Sequence, residues 1–328
     1  MLTPVDRLEI QILVDNVTDS LSSAPSFVET EMAYHWRRGM ATLSGSCLCC
    51  AAHGLSCLIT AHRGTTRKTL LFDTGPDAEV FRRNVTTLGA ELSTVDAMVL
   101  SHGHWDHAGA MPLALDLIRA GTPQRRVPVH MHPGMFRHRA MRAPDGSMRP
   151  FADVATAAEL EEHGGEVVLS RAPEAILNNF FLISGEIPRI TPFETGLPGQ
   201  HHLTGTGQWE PDPLLMDERS VAVHVAGLGL VVFSACSHAG IINVLAHARS
   251  QFPGVPIHGI VGGLHLSGTN ERIIPETVEA LLSYDITTIA AGHCTGWRAV
   301  NALANTFGDE VVVPLAVGKT FTFHGRRT

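Results

Sequence analysis

The stretch LSHGHWDHAGA, Leu100 to Ala110, puts four metal-capable side chains, His102, His104, Asp106 and His107, within six residues. Imidazole and carboxylate are the usual ligands of zinc and related divalent cations. His102 and His104 stand two apart, so on a turn leaving a strand both can point at one cation. Asp106 and His107 can then reach a second one nearby. Gly103, Ala108 and Gly109 are small and let the backbone wrap tightly. The plain alternative is a His-rich exposed turn with Asp106 at the start of the next helix. Four ligand-type residues at this spacing favour a metal centre instead. Asp106 is also the natural residue to orient a water and relay its proton.

Three later phrases repeat one pattern. VVFSACSHAG, IVGGLHLSG and TIAAGHCTG each run an apolar strand into small residues and then His238, His265 or His293. One histidine after a strand is ordinary packing. Three of them beside the first cluster read as groups gathered at one edge of a fold. His238 and His293 are expected ligands, and His265 a catalytic proton donor or substrate contact, with ligation left open. His53, opening a strand in AAHGLS, is a strand-edge residue or a pocket residue. Arg137, Arg139 and Arg142 lie with Arg149 in HPGMFRHRAMRAPDGSMRP. Folded over the cations, their guanidinium groups could grip a phosphate or carboxylate; a solvated loop is the alternative. Trp105 is either a pocket wall or a core anchor.

The elements that must position these groups follow from periodicity. IQILV (10–14), LSCLIT, TLLFDTG, VDAMVLS and RRVPVHMH read as strands, the second and third as a hairpin. DAEVFRRNVTTLGA and AGAMPLALDLIRAG read as helices closed by glycine. Residues 133–220 lose this rhythm and are predicted to be an insertion or cap, with a helix at DVATAAELEEHG and strands at GEVVLS and FFLISG. A hairpin over SVAVHVAGLGLVVFSACSH then leads into strand–helix alternation. Hairpins followed by alternation, in both halves, predict two mixed sheets packed together with helices outside.

Bulk numbers narrow the class. The chain has 328 residues, 44% hydrophobic, with net charge −8 and no long Lys/Arg run, which argues against nucleic acid as a partner. No apolar run nears the roughly 20 residues that span a bilayer, and MLTPVDRLEIQILVDN lacks a basic-then-apolar signal pattern. The expectation is a cytoplasmic protein acting on a small molecule, without membrane contact. Of the six cysteines, Cys47 and Cys50 make one CxxC with no second pair, so the N-terminal group reads as small apolar filler.

HGHWDH is similar to the HxHxDH signature of the metallo-β-lactamase superfamily, and LLFDTG resembles the strand-plus-aspartate motif that precedes it there. The resemblance implies an α/β fold, a four-layer αββα sandwich of two mixed sheets with outer helices, in a single domain over 1–328. It implies a one- or two-metal site at one edge, with Asp73 buttressing the ligands from behind. ACSHAGIIN, GGLHL and GHCTG also resemble a narrower branch. Some of its members carry the label dihydropterin-methyl-ribofuranosylaminobenzene-phosphate synthase. AHGLSCLI, FETGLPG, WEPDPLLMDERSV and GHCTGWRA fit the same branch, so the resemblance runs from about residue 8 to 325. One departure stands out. Many superfamily members place a metal-bridging aspartate after the strand where this chain has SACSH. Cys236 occupies its position, as a soft ligand or a packed thiol, and His238 is the expected ligand beside it.

The resulting expectation is a hydrolase using one or two Zn²⁺, with Mn²⁺ or Fe²⁺ open, to activate water. The substrate class is a small, anionic phosphoester, cyclic phosphodiester or lactone. The rivals are a pterin-pathway synthase built on the same metal site and a non-catalytic metal-stabilised binding protein. Edge strands of such sandwiches often pair, which leaves a homodimer open.

Overall fold

The computed structural model describes residues 2–326. Period-two burial sets its first strand, β1 (Arg7–Val14): Leu8, Ile10 and Ile12 are buried while Arg7, Glu9 and Gln11 stay half-exposed. The chain continues through β2 (Val28–Glu29), α1 (Glu31–Arg37), the hairpin β3 (Ser56–Arg63) and β4 (Thr66–Phe72), and α2 (Ala78–Leu88). Then come β5 (Ala97–Val99), the one-turn α3 (Trp105–Ala108), α4 (Met111–Ile118) and β6 (Val127–Met131). Helix α2 starts where Asp77 accepts from the Val80 amide and stops at Gly89 in the left-handed region.

The middle of the chain forms β7 (Arg139–Arg142), β8 (Met148–Pro150), α5 (Ala157–Glu162), β9 (Gly165–Leu169), β10 (Glu174–Ile176), β11 (Phe181–Ile183), β12 (Gln200–Leu203) and β13 (Trp209–Pro211). The last part runs β14 (Val221–Val225), β15 (Gly229–Ser234), α6 (Ile241–Gln251), β16 (Ile257–Gly263), α7 (Ile274–Leu282), β17 (Thr288–Gly292), α8 (Trp297–Phe307) and β18 (Thr320–His324).

Two mixed sheets result, ordered β2-β18-β1-β3-β4-β5-β6-β9 and β10-β11-β14-β15-β16-β17. Their facing sides share one core, where Phe72 of β4 meets Phe233 of β15 edge-on at 6.5 Å. Phe81, Val85, Met111 and Leu115 of α2 and α4 cover the outer face of the first sheet. Leu245, Val278, Leu281 and Leu303 of α6, α7 and α8 cover the second. The layers are therefore αββα.

Residues 133–220 are less separate than their irregular sequence suggests. β9 extends the first sheet and β10–β11 the second. Only β7, β8, β12 and β13 stand apart as a four-stranded sheet. Short strands carry too few residues for a periodic signal, which is why this division is invisible in the sequence.

β4, β5, β6 and β9 run parallel, as do β15, β16 and β17. The carboxyl ends of both parallel groups meet at one edge, where side chains in an α/β sheet can converge on a ligand. Among the described residues no helix is long and apolar enough to cross a membrane.

Candidate metal centre

Asp73 follows β4 directly, with φ of 58°. Its Oδ1 accepts the Ser101 amide at 2.7 Å, and its Oδ2 accepts both Ser101 Oγ–H at 2.7 Å and His107 Nδ1–H at 2.7 Å. Ser101 has thus given its only hydroxyl proton to Asp73. His102 Nδ1, 2.9 Å from Ser101 Oγ, must donate to it. That assignment leaves Nε2 of both His102 and His107 as bare lone pairs. One buried carboxylate fixes two histidine tautomers, the arrangement that presents imidazole to a metal.

His102 Nε2 lies 3.0 Å from His104 Nδ1 and 3.1 Å from His238 Nε2. Burial drives all three imidazoles toward the neutral form: His104 is lowered to about 3, and His102 and His238 fall well below their ordinary range. Neutral imidazole is the form that binds a cation. His238 is set by Glu218, whose carboxylate accepts the backbone amides of His238 at 2.8 Å and Ala239 at 2.5 Å.

A second group forms around Asp106. Its Oδ2 is 3.4 Å from His293 Nε2, 3.6 Å from His107 Nε2 and 3.5 Å from His53 Nε2. Burial opposes the ionised form of Asp106, but His107 and His293 outweigh it and hold the carboxyl far below its usual range. Burial likewise opposes protonation of His107, and Asp106 and Asp73 together raise it to about 9. A bound cation would replace that proton.

His293 is held by the first strand. Asp15 Oδ1 accepts its backbone amide at 2.9 Å, and Asn16 Oδ1 accepts Nδ1–H at 3.0 Å. The Asn16 amide donates to His293 O at 3.2 Å and to His53 Nδ1 at 3.1 Å. His53 therefore carries its proton on Nε2, toward Asp106. It is a hydrogen-bond donor at the mouth of the site and not a ligand in this arrangement. Burial raises Asp15 to about 6.

Cys236 lies between the two groups. The ligand atoms of His102, Cys236 and His238 all lie within 4.8 Å of one another, and so do those of His107, Cys236 and His293. Its Sγ is 3.1 Å from Cys294 Sγ and 3.4 Å from His265 Nδ1. Burial, with the adjacent Cys294 sulfur, pushes the Cys236 thiol well above its ordinary range.

These donors fit divalent cations. His107 Nε2 and His293 Nε2, the nitrogens that face Asp106, are buried without a hydrogen-bond partner, a costly state for groups that bind neither water nor protein. Local backbone strain points the same way. Asp73, Ser237, His265 and His293 all take positive φ, at 58°, 56°, 46° and 47°, each costing on the order of 1 kcal/mol. Close approach also demands glycine at two places. A Cβ at Gly103 would fall 2.5 Å from the Met135 carbonyl, and one at Gly263 would fall 2.6 Å from Cys294 Sγ.

The site opens into a cavity of about 340 Å³. Trp105, Phe151 and Leu197 supply its apolar wall, and His53, His265 and Ser267 its polar one. The three arginines named from the sequence do not line it. Arg139 is buried and paired with Asp217 at 2.8 Å; Arg137 reaches Asp212 at 3.4 Å; Arg142 is exposed. Arg139 acts on the site indirectly, because Asp217 also accepts the Gly103 amide at 2.9 Å. The sequence alone assigns no role to Asp15, Asn16, Asp217, Glu218 or Cys294. Their signal was faint: polar residues set at the end of an apolar strand or inside the DERSV and GHCTG phrases.

The donor set and layers agree with what comparison finds. A sequence profile described as the metallo-beta-lactamase superfamily matches residues 54–207. A relative from Methanocaldococcus jannaschii, named 7,8-dihydropterin-6-methyl-4-(beta-D-ribofuranosyl)-aminobenzene-5'-phosphate synthase, is 30% identical over 79% of this chain and 86% of its own. The chain belongs to the metallo-β-lactamase superfamily. A second relative from the same organism, uncharacterized, is 26% identical over 77% of this chain and 88% of its own. Among solved structures, the superfamily fold is matched by Tm1679, described as a metal-dependent hydrolase of the β-lactamase superfamily. That match has a TM-score of 0.69 and 21% identity and covers 97% of this chain and 99% of that one. The metallo-β-lactamase fold protein YhfI of Bacillus subtilis follows at TM-score 0.51 and 11% identity, covering 98% and 100%.

Proposed function

We propose that the chain is a hydrolase using two divalent cations, zinc in the first instance, on a small substrate such as a phosphoester, cyclic phosphodiester or lactone. The observation that carries this reading is His102 Nε2: a lone pair kept free of its proton by Ser101 and Asp73, with two imidazole nitrogens 3.0 and 3.1 Å away. His102, His104 and His238 would hold one cation, and Asp106, His107 and His293 the other. Such cations acidify water toward neutrality and polarise the bond to be cleaved.

The remaining groups divide the work around them. Asp106 stays ionised, so it accepts a proton's hydrogen bond and fixes orientation, but it is a poor donor to a leaving group at neutral pH. His265 is the better donor. It stands on the cavity wall, and although burial opposes its protonation, Cys294 and the Glu218 and Asp106 carboxylates outweigh burial and raise it. Trp105, Phe151 and Leu197 exclude water from one side. Among the described residues no arginine or lysine lines the cavity, so attraction for an anionic group would come from the cations themselves. The cavity volume sits at the low end for small-molecule sites, which favours a compact substrate.

One comparison favours a second reading. The Methanocaldococcus jannaschii relative is named as a 7,8-dihydropterin-6-methyl-4-(beta-D-ribofuranosyl)-aminobenzene-5'-phosphate synthase, and the same cations could activate a leaving group for an amine. A single panel separates the two. Zinc-loaded protein is assayed on a generic phosphodiester, a phosphomonoester and lactones, and separately on a dihydropterin with an aminobenzene ribofuranosyl phosphate. Hydrolysis that His104→Ala abolishes supports the first reading. Product only in the pterin reaction would replace it.

A further inference from the structure

From its place in both donor groups, we propose that the Cys236 thiolate bridges the two cations. This rests on the two-cation reading above and specifies how its halves are joined. Cys236 is the one residue common to the His102–His238 group and the His107–His293 group, each within 4.8 Å. It is 3% exposed and lines the cavity, where a cation could reach its sulfur. No carboxylate competes for the position. Asp106 Oδ2 sits on the far group, against His53, His107 and His293, and Glu218 is committed to the amides of His238 and Ala239.

The neighbours of Cys236 suit a thiolate. His265 Nδ1 at 3.4 Å can donate to the sulfur when it carries a proton there. In the metal-free protein the Cys236 S–H donates to Cys294 Sγ at 3.1 Å, the proton a cation would replace, and the Cys294 S–H donates to the Cys236 carbonyl at 3.3 Å. Ionisation is driven by binding: the thiol S–H bond breaks, two metal–sulfur bonds form, and one proton leaves to solvent. A soft sulfur bridge also sets selectivity, because thiolate favours zinc or iron over manganese or magnesium.

X-ray absorption on protein loaded with two equivalents of zinc tests the bridge without any mutation. Each zinc should show one sulfur neighbour at about 2.3 Å, distinct from nitrogen and oxygen at about 2.0–2.1 Å. Cys294→Ser should leave that count unchanged. Cys236→Asp should keep two zincs with no sulfur, while Cys236→Ala should lose one equivalent with its far-ultraviolet circular dichroism intact. Half a sulfur per zinc in the wild type would make the thiolate a ligand of one cation only and overturn the bridge. So would a sulfur-free spectrum, binding of fewer than two zincs, or a drop to half a sulfur in Cys294→Ser. The hydrolase reading fails separately: one sulfur per zinc with no turnover on the substrate panel would refute the reaction and leave the bridge standing.

Discussion

The two halves of the candidate metal centre are assembled differently. The first draws His102, His104, Asp106 and His107 from six consecutive residues after β5, the last two of them in the one-turn α3. The second draws Cys236, His238, His265 and His293 one strand end at a time, from β15, β16 and β17. In the first half, local chain geometry does most of the positioning, and one carboxylate, Asp73, orients two ligands. In the second, His238 and His293 each depend on a partner elsewhere in the sequence: Glu218 for His238, and Asp15 with Asn16 for His293. A compact loop fails as a unit, whereas distributed ligands can be loosened singly.

The largest effect is expected from His104→Ala. It should stay folded, lose one metal equivalent by elemental analysis and lose hydrolysis by more than about 100-fold, since even partners behind a ligand are worth about 10–100-fold. Wild-type metal content in this variant would remove His104 from the centre. Asp73→Ala comes next. Because Asp73 holds both His102 (through Ser101) and His107, affinity for both cations should fall about 10–100-fold, read as two weakened events in a metal titration. Weakening of only one event would mean that the Ser101 relay does not matter.

The distributed half should split where the loop does not. Asn16→Ala should weaken only the cation on His107 and His293, by roughly 10-fold, and leave the His102 side unchanged. Glu218→Gln should do the reverse, because it disturbs the backbone at His238 and Ala239 and not that of His293. If either variant weakens both cations equally, the halves are not independent.

That contrast also explains what the sequence made legible. The HGHWDH cluster could be read because its members are neighbours in the chain. His238 and His293 could be read because apolar strands end in them. Asn16 could not, for it sits 277 positions from the imidazole it orients and looks like an ordinary turn residue after β1. Arg139 misled for a related reason. Its charge suggested an open anion grip, but charge says nothing about whether Asp217 waits inside to pair with it. The layers were legible from hairpins and strand–helix alternation. The closing strand β18 and the four-stranded sheet of β7, β8, β12 and β13 were not, because their pairing is long-range.

A control outside both halves should give the smallest effect on the centre. Lys319 is buried and donates to Asp19 at 3.0 Å. Burial opposes ionisation of Asp19, but Lys319 and Ser22 outweigh it and lower the carboxyl below its ordinary 3.8. A carboxyl with a depressed folded-state pKa stabilises the fold above its unfolded value, and that contribution disappears as pH falls through the folded one. Asp19→Asn should therefore cost about 1–3 kcal/mol at neutral pH, with the difference from wild type shrinking below about pH 4. Metal stoichiometry should not change. Thermal melts across pH, paired with elemental analysis, check both statements.

The central claim is that the loop and the strand ends together build two cation sites. Calorimetric titration of metal-free protein with zinc tests it directly. Two equivalents per chain are expected, with the second event alone weakened in Asn16→Ala. Saturation at one equivalent or fewer would contradict a two-cation centre.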